Sequence, residues 1–179
     1  MFCLLSAILT CNPRALQTTL TFKNDRTMLS YAAAAHKRFA SSLGDIIGHD
    51  AFYSVVFFQP LPSFFADISA SKGGNMFADT LGENAVLYTA GVFVNTNEAD
   101  FMLASAKMHE MVVELKGHSE EIKADNPLVY LNYAEFSQDP LGSYGEESVR
   151  FLKKVAREYD PAGKFQRMVP GGFKISRVA

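Results

Sequence analysis

Two unbroken apolar runs, Phe52 to Gln59 and Ala85 to Val94, constrain this chain more than anything else in it. Both are rich in aromatic and β-branched residues, and both are expected to be buried strands. Pro60 and Pro62 end the first, because proline cannot donate to a ladder. Leu16 to Lys23 alternates instead, with Leu16, Thr18, Leu20 and Phe22 on one face. Between these strands the period changes. Met28, Ala32, Ala35, Phe39 and Leu43 recur at helical intervals after Asn24-Asp25, and Gly44 or Gly48 is expected to end that helix. Ser63 is expected to cap a short helix reaching about Ser71, broken by Gly73-Gly74. Asn95-Thr96-Asn97 forms a capping cluster before a helix carrying Phe101, Met108, Val112 and Leu115, with Gly117 as its stop.

The last third reads less cleanly. After Pro127, Leu128 to Tyr133 is expected to be a short strand. Ser143 and Glu146 have capping-box spacing, and the helix they open is expected to bury Val149, Leu152, Ala156 and Tyr159. Asp160-Pro161 closes it, and a final extended piece runs from Gly172 to Arg177. Strands alternate with helices throughout, and helices of this length cover one face of a sheet. The fold class is therefore α+β, with an apolar segment at 1–16 and one domain over 17–179.

Composition narrows the partners. Hydrophobic residues make up 48% and charged residues 20% of 179, which describes a chain that buries a core. The formal charge of −2 has no basic run longer than two residues, against nucleic acid or an anionic membrane surface as the main partner. Fifteen Phe, seven Tyr and no Trp suit an apolar ligand and suit plain packing equally. The two cysteines, Cys3 and Cys11, exclude a disulfide framework. They sit in an opening apolar stretch too short to span a bilayer. It has the length of a signal-peptide core without the basic flank, and packing against a further part of the protein is the preferred expectation.

Chemistry is sparse. The four histidines, His36, His49, His109 and His118, have neither metal-ligand spacing nor a neighbouring cysteine, so no metal site is expected. Gly73-Gly74 and Gly171-Gly172 fit no phosphate loop. On a strand, Tyr130 and Asn132 point one way while Leu131 and Tyr133 point the other. Phenols ordinarily titrate near ~10, so a tyrosine base needs a lowered pKa or a proton-taking partner, whereas a donor needs nothing. Both tyrosines could equally be core rings. Tyr88 and Thr89 lie mid-strand, and Gln59 ends the strand before Pro60.

Several stretches carry a resemblance. They are Tyr130-Leu131-Asn132-Tyr133-Ala134-Glu135, Gln138-Asp139-Pro140-Leu141-Gly142-Ser143-Tyr144-Gly145-Glu146-Glu147, Tyr159 to Gln166, and Val169-Pro170-Gly171-Gly172-Phe173. Thr21 to Asp25, Phe57 to Pro60 and Gly73-Gly74-Asn75 add to them. Together they resemble the C-terminal part of the berberine-bridge-enzyme-like FAD-linked oxidases, especially fungal members of secondary metabolism. The resemblance implies the substrate domain of such an oxidase, an antiparallel sheet with helices on one face, whose other face roofs the flavin. It implies FAD as cofactor, not bound by this chain alone, because the family's flavin-binding half has no counterpart here. Carried over residue by residue, it implies Tyr133 as the catalytic base and Tyr130 and Asn132 as flavin-facing. It makes Gln59, Tyr88 and Thr89 substrate-lining; on packing grounds alone Tyr88 is core and Gln59 caps a sheet end. The partners implied are a small organic substrate and a flavin-bearing half or a second copy. A cofactor-free isomerase, cyclase or dehydratase using Tyr133, and a non-catalytic remnant, are the competing readings.

Overall fold

The computed structural model describes residues 14–76 and 80–178. Strands β1 (Arg14–Lys23), β2 (Phe52–Leu61) and β3 (Ala85–Val94) form a three-stranded antiparallel sheet in the order β1-β3-β2. Helix α1 (Arg26–Ile47) joins β1 to β2, α2 (Phe64–Ser71) joins β2 to β3, and α3 (Glu98–Glu121) follows β3. Helices α4 (Glu146–Tyr159) and α5 (Lys164–Met168) complete the regular structure, with 3₁₀ turns at Gly142–Tyr144 and Ile175–Arg177. The expected α+β class, with helices packed on the sheet, is what the chain adopts.

The two long helices start where their caps dictate, whereas Ser63 makes no side-chain cap bond to α2. The Asp25 carboxylate accepts from the Met28 amide at 2.8 Å, and the Asn97 side chain accepts from the Asp100 amide at 3.0 Å. Gly48 ends α1 at φ 93°, a left-handed conformation that favours glycine, and its N–H donates to the Gly44 carbonyl at 2.9 Å. The stripe Met28, Ala32, Ala35, Phe39 and Leu43 is buried in full, as its period requires. It meets Ala104, Met108, Met111 and Leu115 of α3 and the even-numbered side of the sheet: Leu20, Phe22, Val86, Tyr88, Ala90, Val92 and Val94. Each large side chain so buried contributes about 1.5–3 kcal/mol, which makes this layer the main source of stability.

Several local expectations fail. Helix α3 runs past Gly117 to Glu121. Interior glycine costs only about 0.5–1 kcal/mol, and continuing the helix buries Ser119 and stacks His118 on Tyr31 with ring centroids 3.8 Å apart. Strand β2 is an edge strand, not one buried on both faces, so Tyr53 and Phe57 are exposed on the side away from the helices. The capping box does not form. Gly145, at φ 86°, caps α4, while the Ser143 hydroxyl donates to the Pro140 carbonyl at 2.7 Å and accepts from the Val129 amide at 3.0 Å. Of the residues α4 was expected to bury, Val149 is buried but Tyr159 is 77% exposed.

Leu128 to Tyr133 is a further case. It is no strand, because the outer edge of β1 is already occupied. Asp125 bridges Phe22 there, and the Lys23 amide donates to the Ala124 carbonyl at 2.8 Å. The segment therefore crosses the sheet face with side chains satisfying its backbone: the Leu128 amide donates to the Asn126 side chain at 3.0 Å. It ends in a turn in which the Tyr133 amide donates to the Tyr130 carbonyl at 3.0 Å. The C-terminal piece expected to be extended likewise closes into the 3₁₀ turn Ile175–Arg177. The opening apolar stretch with Cys3 and Cys11 lies outside the described residues. No helix among the described residues is long and apolar enough to cross a membrane.

One group in the helix–sheet layer links stability to pH. His36 on α1 sits 3.2 Å from the Ser54 hydroxyl of β2 through Nε2, while its Nδ1 is buried without a partner. Burial lowers its pKa below the ordinary histidine value. The unfolded chain then binds this proton more readily than the folded one, so stability is lost as pH falls through the ordinary histidine range, near ~6.5. We predict that the urea midpoint falls between about pH 7 and pH 5, and that His36→Leu flattens this segment of the curve. An unchanged slope in the variant assigns the effect to other groups.

Candidate functional site

Among the described residues, the odd-numbered side of the sheet has no helix layer of the kind that covers the even side. It carries Gln17, Thr19 and Thr21 on β1, Leu87, Thr89, Gly91 and Phe93 on β3, and Tyr53, Val55, Phe57 and Gln59 on β2. One end is roofed. Leu61, Ala85, Leu87, Leu81 and Leu128 form a small second core, and Tyr130, Tyr133, Tyr144 and Ala66 pack against it half-buried. The remainder presents Tyr53 and Phe57 to the surface, and α2 adds exposed Phe64, Phe65 and Ile68.

Within the roof, Tyr130 and Tyr133 meet edge to face, with centroids 5.0 Å apart. The expectation that they lie on opposite faces of a strand is thus overturned. The turn that replaces the strand abolishes period-two alternation and brings both rings together. Asn132 is exposed and donates to the Tyr130 hydroxyl at 3.0 Å, so the two residues expected to act as a pair do touch. Tyr144 joins them from the 3₁₀ turn. Burial, followed by the nearby Tyr130, raises its pKa, so Tyr144 stays a protonated donor at neutral pH.

The other candidates divide between the two faces. Gln59 and Thr89 lie on the open side, in adjacent strands. Thr89 is buried, its hydroxyl donating to the Thr18 carbonyl at 3.0 Å and accepting from the Gln17 side-chain Nε2 at 3.1 Å. Tyr88 lies on the helix side. It is wholly buried, edge-on to Phe58 at 5.5 Å, with its hydroxyl 3.7 Å from the Met111 sulfur. The sheet thus separates Tyr88 from the tyrosine cluster, while its sequence neighbour Thr89 lies on the cluster's side of the sheet.

Two residues of this region escaped the reading from sequence. Tyr144 is one; only its position beside Ser143 hinted at it. Gln138 is the other. Its Nε2 donates to the Thr19 carbonyl at 2.7 Å, and its Oε1 accepts from the Thr19 amide at 3.3 Å, the Thr18 hydroxyl at 3.2 Å and the Glu135 amide at 3.1 Å. No local pattern marks a carboxamide that docks on a strand 119 residues away.

The donor set of this end of the face is phenols, carboxamides and a threonine hydroxyl. Among the described residues no group of three or more His, Cys, Asp or Glu is placed to hold a metal ion. Such a set suits an uncharged ring that is flat and offers hydrogen-bonding edges. It does not suit a diphosphate, which calls for basic side chains or a cradle of backbone amides.

The chain is 31% identical over 166 residues to a FAD-dependent monooxygenase of Aspergillus calidoustus, covering 92% of this chain and 31% of that protein. It is 36% identical over 128 residues to one of Emericella nidulans, covering 72% of this chain and 26% of the relative. A third, from Fusarium proliferatum, is 30% identical over 173 residues, covering 88% of the chain and 31% of that protein. The chain is thus similar to fungal FAD-dependent enzymes, and spans about a third of their length. No family model matches it, and no solved structure does.

The roof has a spectroscopic signature. Tyr31, donating to Glu114 at 2.7 Å, and buried Tyr88 also have raised pKa values. We expect an alkaline absorbance titration to show a late-ionising group of phenols that loses one member in Tyr144→Phe. Tyr130→Phe should shift Tyr144 back toward the ordinary phenol range. An unaltered late phase in Tyr144→Phe contradicts the packing described.

Proposed function

We propose that this chain supplies the substrate side of an FAD-linked oxidoreductase of the berberine-bridge-enzyme-like type, acting on a small organic molecule of fungal secondary metabolism. The observation that carries the reading is the cluster of Tyr130, Asn132, Tyr133 and Tyr144 over one end of a sheet face whose edge strand β2 leaves Tyr53 and Phe57 exposed. It stands in a chain similar to FAD-dependent enzymes about three times its length.

In this reading Tyr130 and Asn132 flank the flavin ring, offering a ring face and hydrogen-bonding groups but no charge. A bound flavin would supply the acceptor for the hydride leaving the substrate. Tyr133 moves the accompanying proton of a substrate hydroxyl, and Tyr144 beside the pair donates a hydrogen bond. Gln59, exposed on the same side, lines the substrate's approach, and buried Thr89 orients Gln17 there; Tyr88, behind the sheet, acts only through packing. The diphosphate end of FAD is held by a further portion of the protein, which also covers Tyr53 and Phe57. Exposed aromatic surface of this kind favours a partner, and a second copy of the chain is the other candidate cover.

The test is a chimera. This chain replaces the matching third of the Aspergillus calidoustus relative, and the visible flavin band and turnover are followed. We expect the chimera to retain FAD and Tyr133→Phe to lower turnover by about 10²–10⁴-fold, the usual worth of a general acid or base. Its stability should fall by no more than about 0.5–1.5 kcal/mol, one hydrogen bond. Tyr53→Phe is the control, on the same face but away from the cluster. Equal rate losses in the two variants, or full activity in Tyr133→Phe, would make Tyr133 structural. Turnover by the chain with no flavin present would favour cofactor-free acid–base chemistry.

A further inference from the structure

We infer that Gln138 is the positioning residue of the tyrosine cluster, holding the Tyr130–Tyr133 turn in register with the open face by standing in for one residue of a fourth strand. The inference rests on the role proposed for Tyr133, but its structural content is separable from it.

An edge strand offers outward-facing N–H and C=O groups that a neighbouring strand would pair. On β1 these groups have two occupants. Near Lys23 the edge is taken by backbone, the Ala124 carbonyl accepting from the Lys23 amide at 2.8 Å. At Thr19 it is taken by a side chain. The Gln138 carboxamide accepts from the Thr19 amide at 3.3 Å and donates to the Thr19 carbonyl at 2.7 Å, the pair of bonds a strand residue would make. A carboxamide is the one neutral side-chain group that carries donor and acceptor with peptide geometry.

The same Oε1 accepts from the Glu135 amide at 3.1 Å, closing a turn in which the Gln138 amide donates to the Glu135 carbonyl at 3.0 Å. Glu135 is two residues from Tyr133. One side chain therefore ties the edge of the sheet to the segment carrying Tyr130, Asn132 and Tyr133. Thr19 is fully buried and its own hydroxyl is spent on the Tyr88 carbonyl at 3.0 Å, so the anchor point is rigid. At the other end of the segment the Leu128 and Val129 amides are fixed by Asn126 and Ser143. The tyrosine turn is thus strung between two sets of side-chain clamps, and Gln138 is the one attached to the sheet.

Two variants test this in the isolated chain, with no flavin needed. The chain has no Trp, so its near-ultraviolet circular dichroism reports packed tyrosine and phenylalanine rings. Gln138→Ala should diminish the tyrosine part of that signal. It should speed hydrogen exchange of the Glu135 amide and the Tyr130–Tyr133 turn by roughly tenfold, as a local opening does, while β3, α1 and α3 exchange as before. Gln138→Glu gives the sharper readout. Protonated, the introduced carboxyl keeps one donor and one acceptor; ionised, it has only acceptors and faces the Thr19 carbonyl. Its tyrosine signal should match the parent chain at acid pH and fall on ionisation. The parent measured at each pH accounts for the neighbouring carboxylates Glu135 and Asp139. A Gln138→Ala signal and exchange pattern equal to the parent's overturns the inference. So does acceleration spread evenly over α1, α3 and β3, or a Gln138→Glu signal that follows the parent at every pH. Success here with an active Tyr133→Phe chimera would leave the clamp standing and the catalytic reading refuted.

Discussion

The structure depends on the central strand β3, which is buried along nearly its whole length on two unlike surfaces. Its even side, Val86, Tyr88, Ala90, Val92 and Val94, is sealed under α1 and α3. Its odd side packs Ala85 and Leu87 against Leu128 and the tyrosines, then continues through Thr89 and Gly91 toward exposed aromatic residues. Three strands need a covering layer to be stable in water, and the two long helices provide it on one side only. On the other side, among the described residues, the cover at one end comes from the segment carrying Leu128, Tyr130 and Tyr133, with Tyr144 and Ala66 of α2 beside it.

That segment follows from a competition for hydrogen bonds. β1 is an edge strand, and Leu128–Tyr133 has the composition of a strand to pair with it. The edge is already satisfied at two points, by the Ala124–Asp125 backbone and by the Gln138 carboxamide. Deprived of a ladder, the segment turns, and the turn converts two tyrosines that would alternate into a contacting pair. The chemistry of the cluster is a consequence of the sheet's stopping at three strands.

What was legible in the sequence had local causes. The stripe from Met28 to Leu43, the caps at Asp25 and Asn97, the buried run of β3 and the α+β class each follow from residues within a few turns of one another. What was not legible required knowing a distant neighbour. Gly117 reads as a stop until His118 is seen stacked on Tyr31. Ser143 reads as a cap until Val129 claims its hydroxyl. The aromatic run of β2 reads as buried on both faces, yet its place at the sheet edge leaves Tyr53 and Phe57 in the open. Tyr88 and Thr89, adjacent in sequence, are sent to opposite faces by strand alternation, and only the sheet order shows which face is covered by helices. The resemblance to FAD-linked oxidases identified the tyrosine motif by its residues, and the turn that gathers them had to come from the structure.

The central claim of the proposed function is that the odd-numbered face is the functional one and that a flavin-bearing portion would cover it. Hydrogen exchange on this chain, alone and mixed with the flavin-bearing two-thirds of the Aspergillus calidoustus relative, tests it most directly. The account predicts new protection at Tyr53 to Gln59 of β2 and at Tyr130 to Glu135, with α1 and the outer surface of α3 unchanged. Protection confined to α1 and α3, or none on the open face while the flavin-bearing portion is bound elsewhere, would contradict it.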